Sequence, residues 1–224
     1  MIERYLVQAS SYAGSIDGII LLIAVLTGFW FLAAEGMFFW LIWKYRAKPD
    51  QKSEYYTGKE KKIKKWITWP HLLVLICDVL IIFGSVRVWY DVKQQLPEAD
   101  TTIRVIGQQW AWTFQHPGPD NELDTTDDIY TVDELYVEVE KTYHFQLESR
   151  DVLHSFSVPV FRLKQDAVPG RSITGWFRPT LTGEYDVQCA EICGIGHGVM
   201  AARIFIQDAN QHAAWVAGTS STTP

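Results

Sequence analysis

The chain has 224 residues, a formal net charge of −6 and 48% hydrophobic residues, with 10 tryptophans among them. A chain of this length could fold as one domain, but its composition changes sharply along its length, which indicates at least two structural parts. Its acidic balance lacks the basic character that nucleic-acid-binding proteins need, so we expect no nucleic-acid partner.

Two apolar segments, at about 16–43 and 67–89, are each long enough to cross a membrane, since about 20 helical residues span a hydrocarbon core of ~30 Å. Tryptophans lie mostly near their ends, as in the aromatic belts of membrane helices: Trp30, Trp40, Trp43, Trp66, Trp69 and Trp89. The alternative is a pair of buried helices in a soluble core, which this pattern disfavours. We therefore predict a transmembrane helix hairpin within an N-terminal part that spans residues 1–95.

The loop between the two segments, 44–65, carries nine Lys or Arg against three acids. The positive-inside rule predicts that this loop is cytoplasmic. Both termini and the second half of the chain would then lie on the periplasmic or outer side of a bacterial-type inner membrane. No basic region precedes a short apolar core with a cleavage site, so we expect no cleaved signal peptide.

Two acidic residues lie inside the predicted spans, Glu35 in the first and Asp78 in the second. At ~1.5 Å per residue, Glu35 lies about 13 Å before Lys44 and Asp78 about 13 Å beyond Trp69, so their depths are similar. Ionisable groups in hydrocarbon are costly and are functional candidates by default. One of them could take up protons, or both could serve a structural hydrogen bond at a helix interface. Cys77, beside Asp78, is predicted to be a small buried hydrophobe.

The second half of the chain, 96–207, contains short segments that are rich in β-branched and aromatic residues and separated by turn formers. We predict strands at 101–105, 110–115, 135–139, 142–147, 155–160, 172–177, 183–188 and 201–206. Eight short strands without a helical period indicate an all-β Greek-key sandwich or barrel. The tail, 208–224, is predicted to form a short helix that frays at its end.

The segment 189–200 places two thiols, an imidazole and a thioether within one loop between two predicted strands. His154 offers a second imidazole from an earlier loop. Sulfur donors with imidazoles suit copper better than calcium or magnesium. A mononuclear blue-copper site needs only one Cys, so the second Cys favours two copper ions bridged by Cys189 and Cys193, with one His at each outer end. Met200 and the carbonyl of Glu191 would be weak additional ligands.

Two other uses of these residues remain open. A structural zinc site could be built from His154, Cys189, Cys193 and His197, although such sites usually space their ligand pairs further apart and Met200 would be unexplained. A Cys189–Cys193 disulfide fits an oxidising compartment but explains neither histidine. The remaining histidines are not expected to be ligands, and the one before Pro-Gly, His116, is expected to be exposed; the others are His71, His144 and His212.

Residues 189–200 resemble the motif C-x-E-x-C-G-x-x-H-x-x-M of subunit II of the haem-copper cytochrome c oxidases and match every fixed position. That family carries the dinuclear copper centre called CuA. The resemblance extends to Gly-Gln-Gln-Trp-Ala-Trp at 107–112, Asp-Val-Leu-His-Ser-Phe at 151–156 and Lys-Gln-Asp-Ala-Val-Pro-Gly-Arg at 164–171. It implies a cupredoxin-like barrel behind the helix hairpin, and it implies the ligands His154, Cys189, Glu191, Cys193, His197 and Met200.

The resemblance also implies the function and the partners. Electrons from cytochrome c, or from a complex that bears it, would enter at Trp110, reach CuA and pass to haem in subunit I, where oxygen is reduced to water with proton translocation. The chain would serve as a subunit of an oxidoreductase and translocase, in contact with other oxidase subunits, and would perform no bond chemistry itself. The Glu191 carboxylate would help bind magnesium at the subunit I contact. Asp151 and Arg171 are candidates for supporting the ligands.

The chain departs from the family at three positions. Many members have a Glu, which serves as a proton entry point, where this chain has Ile63, and they often have aromatic residues or His near Trp110, where it has Gln108 and Ala111. The missing acid favours an alternative, the CuA subunit of a nitric oxide reductase of the same superfamily, whereas residues 151–171 favour the oxidase. A copper-delivery or copper-sensing module is an alternative of another class.

Acids outnumber bases by nineteen to nine between residues 91 and 224. Many of the acids are clustered in the first half of that region: Asp120, Glu122, Asp124, Asp127, Asp128, Asp133 and Glu134. The cluster could be a solvated loop. It could also form a negative surface that steers a basic electron donor toward the copper domain.

Overall fold

The structure is a computed structural model that describes residues 7–49, 52 and 55–220. The predicted loop positions 50, 51, 53 and 54 and the predicted tail residues 221–224 lie outside the described residues. The chain divides into two compact units, one of residues 17–90 and one that combines residues up to 16 with those from 91 onward.

The first unit contains two long helices, α1 (Ala13–Lys44) and α2 (Lys61–Trp89), and α2 contains Pro70. Both are long and apolar enough to cross a membrane, which agrees with the predicted hairpin. Within this chain Glu35 is half-buried and Asp78 is exposed, while Cys77 is half-buried rather than buried. A π-helical turn, Tyr90–Gln94, follows α2.

The second unit is a barrel-like sandwich of two five-stranded sheets followed by a helix, α3 (Ala209–Ser220). The strands are β1 (Thr101–Gln108), β2 (Ala111–His116), β3 (Ile129–Val132), β4 (Glu134–Glu138), β5 (Tyr143–Ser149), β6 (His154–Val158), β7 (Leu163–Ala167), β8 (Ile173–Phe177), β9 (Gly183–Cys189) and β10 (Ala201–Gln207). The sheet orders are β3-β2-β1-β5-β8 and β4-β10-β9-β6-β7. Their facing sides bury one hydrophobic core, in which large rings dominate; these include Trp112, Phe114, Phe145, Phe156 and Phe177.

All eight predicted strands are present, and the structure adds two that the sequence pattern did not predict. These are β3 and β7, and each lies at the edge of its sheet. In β7 only the two terminal residues are buried. The middle of β7 is Lys-Gln-Asp, and such polar residues on edge strands prevent further pairing and hide the apolar alternation by which strands are recognised. β3 is Ile-Tyr-Thr-Val, and its four residues are too few to establish a pattern. The predicted helix in the tail is also present as α3.

An N-terminal strap, which we define as residues 7–12, belongs to the barrel rather than to the helix that follows it. The Ala9 N–H donates to the Val160 carbonyl at 2.9 Å, and the Ala9 carbonyl accepts from the Thr180 N–H at 2.9 Å. Tyr12 is buried, and its ring packs edge-on against Trp176 with centroids 5.2 Å apart. Burial raises the pKa of the Tyr12 hydroxyl. The strap therefore supplies part of the barrel core.

This arrangement differs from a division of the chain at residue 95. The strap and the turn 91–94 both pack with the barrel, because the Val92 carbonyl accepts a hydrogen bond of 3.0 Å from the Trp176 indole. The backbone carbonyl of Trp176 accepts a hydrogen bond of 3.3 Å from the Tyr12 hydroxyl. One residue of β8 thus contacts the segments that precede α1 and follow α2.

The strand registers bring three connections together at one end of the barrel, which we call the loop end. Gly107 of β1 pairs with Ser149 of β5, and Gln188 of β9 pairs with Ala201 of β10. The connections 108–111, 149–154 and 189–201 therefore meet there. At the opposite end lie the start of β1, the start of β5 and the end of β2 with His116.

His116 corrects the prediction from sequence. Although it precedes Pro-Gly, it is buried, with 3% of its surface exposed. The cause is α3, whose Trp215 packs edge-on against the imidazole with centroids 5.0 Å apart. The imidazole also lies 3.2 Å from the Thr131 hydroxyl. Burial, with a smaller contribution from the nearby His212, lowers the pKa of His116 to about 3.

Some members of the acidic cluster make local structural contacts. Asp128 is buried and accepts a hydrogen bond from the Asp124 N–H at 2.8 Å, and Asp124 pairs with Arg104 at 2.7 Å. Asp133 accepts the Trp112 N–H at 2.8 Å. Asp124, Asp128 and Asp133 therefore help to close the loop after β2 and the turn after β3. A steering role for the cluster as a whole stays a prediction.

Candidate metal centre

The predicted ligand residues converge at the loop end of the barrel. His154 is the first residue of β6 and Cys189 is the last of β9, and these strands pair through Phe156 and Cys189. Cys193 lies on the following loop, whose single 3-10 turn, His197–Val199, leads into β10. The side chains are buried or half-buried although the surrounding loop is exposed. The rigid strands thus hold two donors, and the short loop holds the others.

The donor atoms are separated by distances that suit shared metal ions. Two donors about 2.2 Å from one tetrahedral ion lie roughly 3.6 Å apart. Cys189 Sγ lies 3.7 Å from Cys193 Sγ and 3.9 Å from His154 Nδ1. Cys193 Sγ lies 3.6 Å from His197 Nδ1 and 3.7 Å from Met200 Sδ. Each thiol therefore has one imidazole of its own, and the two thiols are neighbours.

The Glu191 carbonyl completes this set on the Cys189 side, at 3.3 Å from Cys189 Sγ. Met200 lies on the Cys193 side. One thiol thus has a carbonyl and an imidazole nearby, and the other has a thioether and an imidazole. This near-symmetric arrangement would suit two ions bridged by two thiolates, with one weak donor for each ion.

The distances argue against the two alternatives, a structural zinc site and a Cys189–Cys193 disulfide. His154, Cys189 and Cys193 place their donor atoms within 4.8 Å of one another, and His197 falls outside that group. Four ligands of one tetrahedral zinc ion would all lie closer together than that, so a single zinc site fits poorly. The thiols are free, and a separation of 3.7 Å far exceeds the ~2.05 Å of a disulfide.

The raised pKa of the Cys193 thiol indicates that a metal ion would displace a proton when it binds. Burial, and the neighbouring Cys189 thiol after it, raise the pKa of Cys193 to about 11. The metal-free thiol is therefore protonated at neutral pH. A copper ion binds the thiolate, so binding releases the proton and becomes tighter as the pH rises.

Asp151 orients the imidazole of His154. Its carboxylate accepts from His154 Nε2 at 2.8 Å, which leaves Nδ1 directed toward Cys189. Such a carboxylate partner fixes the ring orientation of a metal-binding histidine. Partial burial alone would raise the pKa of Asp151, but hydrogen bonds from the Gln109 and Val152 N–H groups and from His154 lower it overall. Trp112 packs edge-on against the same imidazole, with centroids 6.0 Å apart.

Trp110 lies in the turn before β2, against the β9–β10 loop that carries Cys193 and His197, which we call the ligand loop. It is 39% exposed, and its indole Nε1 points to the Cys193 carbonyl at 3.4 Å. A Cβ atom on Gly196 would come within 2.4 Å of the indole ring, so only glycine allows the ring to lie on the loop backbone at that point. Sequence reasoning did not single out Gly196, although a glycine between two predicted ligands in a motif is a signal of close backbone approach.

The structure does not bring every predicted residue to this cluster. Arg171 lies on an exposed turn after β7, and its guanidinium makes no hydrogen bond or ion pair with any residue that the structure describes. The Glu191 carboxylate is likewise without such a partner in the described part of the chain. Glu35 and Asp78 lie in the other unit.

Comparisons with known proteins agree with this geometry. A family model described as the periplasmic domain of cytochrome c oxidase subunit II matches residues 101–207, which run from the first residue of β1 to the last of β10. The alternative cytochrome c oxidase subunit 2 of Bradyrhizobium diazoefficiens is 30% identical over 228 residues, covering 91% of this chain and 79% of that protein. This chain belongs to the cytochrome c oxidase subunit II family.

Other members of the subunit II family support the assignment. Cytochrome c oxidase subunit 2 of Cereibacter sphaeroides is 29% identical over 232 residues, covering 90% of this chain and 74% of that protein. The periplasmic domain of subunit II of the Bradyrhizobium japonicum cytochrome oxidase has 30% sequence identity and a TM-score of 0.52, covering 58% of this chain and 100% of that domain. The predicted fold, a two-helix hairpin followed by a cupredoxin-like barrel, is confirmed.

Proposed function

We propose that this chain is the electron-entry subunit of a membrane haem-copper oxidase. In this role it binds a dinuclear CuA centre, accepts electrons from cytochrome c near Trp110, and passes them to haem in subunit I for oxygen reduction coupled to proton translocation. The observation that carries the proposal is the pair of thiols 3.7 Å apart, each with an imidazole within 3.9 Å.

The residues that would hold the copper pair are His154, Cys189, Cys193, His197, Met200 and the Glu191 carbonyl. A copper pair that shares both thiolates supplies one-electron storage with little change in bond length. The chain holds the donors in fixed positions, because His154 and Cys189 lie at the ends of β strands and Asp151 orients the His154 imidazole. Trp110 supplies an exposed ring beside the ligand loop.

The test is electron paramagnetic resonance of the full-length chain in detergent after copper addition. We expect one unpaired electron shared by two equivalent copper nuclei, with two copper ions bound per chain. A spectrum from one isolated copper ion, or one ion bound per chain, would show that the proposed centre is wrong. Full-length chain is needed because the strap completes the barrel core.

We place both termini and the barrel on the periplasmic side of a bacterial inner membrane, with the basic loop 44–65 in the cytoplasm. The supporting observation is the strap: residues that precede α1 and residues that follow α2 pack in the same unit. Both ends of the hairpin then belong on one side of the membrane. Cysteine labelling from outside should modify Ser11→Cys and leave Lys59→Cys unmodified in intact cells.

Two further roles belong to the contact with subunit I. The Glu191 carboxylate, which has no partner among the described residues, is proposed to bind magnesium there. Asp78 lies on one face of α2 with His71 and Ser85, because residues seven apart recur on the same side of a helix. A carboxylate in hydrocarbon must face protein or water, so this face and Glu35 are proposed as polar contacts with subunit I. Unchanged assembly and turnover in Glu35→Gln and Asp78→Asn would refute that role.

The second candidate function is the CuA subunit of a nitric oxide reductase, and the observation that favours it is Ile63. This residue of α2 offers no carboxyl group at the cytoplasmic side of the hairpin. Oxygen uptake by the purified complex supports the oxidase, whereas nitric oxide uptake without oxygen uptake supports the reductase.

A further inference from the structure

Two adjacent glutamines at the end of β1 have different surroundings. Both residues are exposed, but the Gln108 side-chain carbonyl accepts only a long hydrogen bond of 3.4 Å from Arg150. The Gln109 side chain reaches across to the ligand loop, where Nε2 donates to the Cys193 carbonyl at 2.8 Å. The two residues that share this bond are separated by 84 positions in sequence.

Gln109 is also tied to the other ligand loop through its backbone. Its N–H donates to one carboxylate oxygen of Asp151 at 2.8 Å, and the second oxygen accepts His154 Nε2 at 2.8 Å. One residue therefore joins the loop that carries His154 to the loop that carries Cys193. No other residue in the described part of the chain is hydrogen-bonded to both Asp151 and the Cys193 carbonyl.

The Cys193 carbonyl is the point at which this link meets Trp110. The carbonyl accepts the short bond from Gln109 and the longer one, 3.4 Å, from the Trp110 indole. The short bond fixes the direction of the carbonyl, and the carbonyl then holds the indole edge. Gly194 and Gly196 leave no side chain between the ring and the loop backbone.

We propose that Gln109 is a positioning residue for electron entry. It holds the Cys193 carbonyl against the Trp110 indole and so maintains a continuous path from the exposed ring to a thiolate ligand. This inference rests on the proposed function, because it takes Trp110 as the entry point. Displacements of about 1 Å at a reacting pair can change rates by up to about 100-fold, so loss of one positioning bond should slow entry by roughly tenfold.

The test compares Gln109→Leu with Gln108→Leu in the purified oxidase complex. The change is the same at neighbouring positions, and only the first removes a bond to the ligand loop. After rapid photoreduction of a bound cytochrome c, we expect Gln109→Leu to slow reduction of the copper centre about tenfold. Transfer onward to haem should keep its rate, and Gln108→Leu should match the unsubstituted complex. Entry within twofold of normal in Gln109→Leu would overturn the inference.

Trp110→Phe separates this inference from the proposed function. If Trp110→Phe slows entry while Gln109→Leu does not, the entry point stands and the role of Gln109 is wrong. If Trp110→Phe leaves entry unchanged, the proposed entry point itself is wrong. A lower melting temperature of Gln109→Leu without slower entry would assign it a structural role only and overturn the inference.

A second measurement does not depend on copper loading. In the metal-free full-length chain, labelled with ¹⁵N at the indole, the Trp110 signal can be assigned by its absence in Trp110→Phe. Loss of the Gln109 bond should shift this signal, because the Cys193 carbonyl is released, and Gln108→Leu should leave it in place. An unmoved Trp110 signal in Gln109→Leu would contradict the proposed link.

Discussion

The two ends of the barrel both gather titratable side chains, but they use them in opposite ways. At the loop end, two thiols, two imidazoles and a thioether place neighbouring donor atoms 3.6–3.9 Å apart, a spacing that suits ligands of shared metal ions. At the opposite end, the carboxylates and imidazoles are mostly paired internally: Asp124 binds Arg104, and His116 is buried against Trp215.

The difference shows why the density of charged or titratable residues is a poor guide to function. The opposite end holds most of the acidic cluster and a cavity of about 380 Å³ lined in part by His116, Tyr143 and Trp215. Its polar groups mainly complete loops and anchor α3. The loop end exposes several apolar side chains, of which Ile195 is 96% exposed. The close spacing of sulfur and nitrogen donors, rather than the number of charges, distinguishes this end.

The largest effect is expected from Cys193→Ser at the loop end. In the proposed centre Cys193 is a thiolate shared by both ions, so we expect its replacement to abolish the two-copper spectrum. Changes to groups that merely support a ligand lower metal affinity about 10–100-fold, and loss of a bridging ligand should exceed that range. Copper content and electron paramagnetic resonance measure the effect. Cys77→Ser is the control, and an intact two-copper spectrum in Cys193→Ser would contradict the bridging role.

At the opposite end, His116→Gln should alter the pH dependence of stability. Burial lowers the pKa of His116 to about 3, below its ordinary value of about 6.5, so the unfolded chain binds the proton more readily. The contribution of neutral His116 to the free energy of unfolding is fully present above about pH 6.5 and is lost as the pH drops toward 3. Between pH 7 and 4 this amounts to about 2–3 kcal/mol. Urea unfolding of the full-length chain should show a smaller acid loss in His116→Gln. An unchanged loss would refute the prediction, and His144→Gln serves as the control.

The smallest effect is expected from Asp124→Asn. Its pairing with Arg104, and after it a hydrogen bond from Gln115, lower the pKa of Asp124 to about 2. Because this carboxylate is already paired at the end away from Trp110, its removal should leave the affinity for cytochrome c within twofold of normal. Titrations at several ionic strengths measure this. A weaker affinity with a reduced salt dependence would support the interpretation of the cluster as a steering surface.

The convergence of the proposed copper ligands could be predicted from sequence because most of them lie in one loop with fixed spacing. His154 comes from an earlier loop and was predicted as the second imidazole that the donor set needs. The contact between Gln109 and Cys193 could not be predicted, since it depends on how β1 and the β9–β10 loop meet in space. Neighbouring residues with the same side chain, Gln108 and Gln109, differ only in that tertiary setting.

The fold could be predicted where apolar periodicity is strong, and the prediction failed where tertiary contacts determine the structure. The two spans and eight strands follow from composition. The edge strand β7 has a polar sequence, β3 has only four residues, and the burial of His116 depends on α3, which is about 100 residues away in sequence. No sequence pattern predicted that the strap packs against the barrel, because six residues before an apolar span resemble an ordinary terminus.

The strap has a consequence for how the subunit is made. The Ser10 hydroxyl donates a hydrogen bond to the Phe161 carbonyl across 151 positions of sequence. The strap therefore cannot pack in its final position until strands that are synthesised much later are present. In the proposed topology the strap must first cross the membrane, followed by the hairpin and then the barrel. A chain in which only one of the two helices inserts would hold the strap and the barrel on opposite sides and leave the places of Ala9 and Tyr12 in the core unfilled. Insertion of both helices thus becomes a condition for completing the barrel.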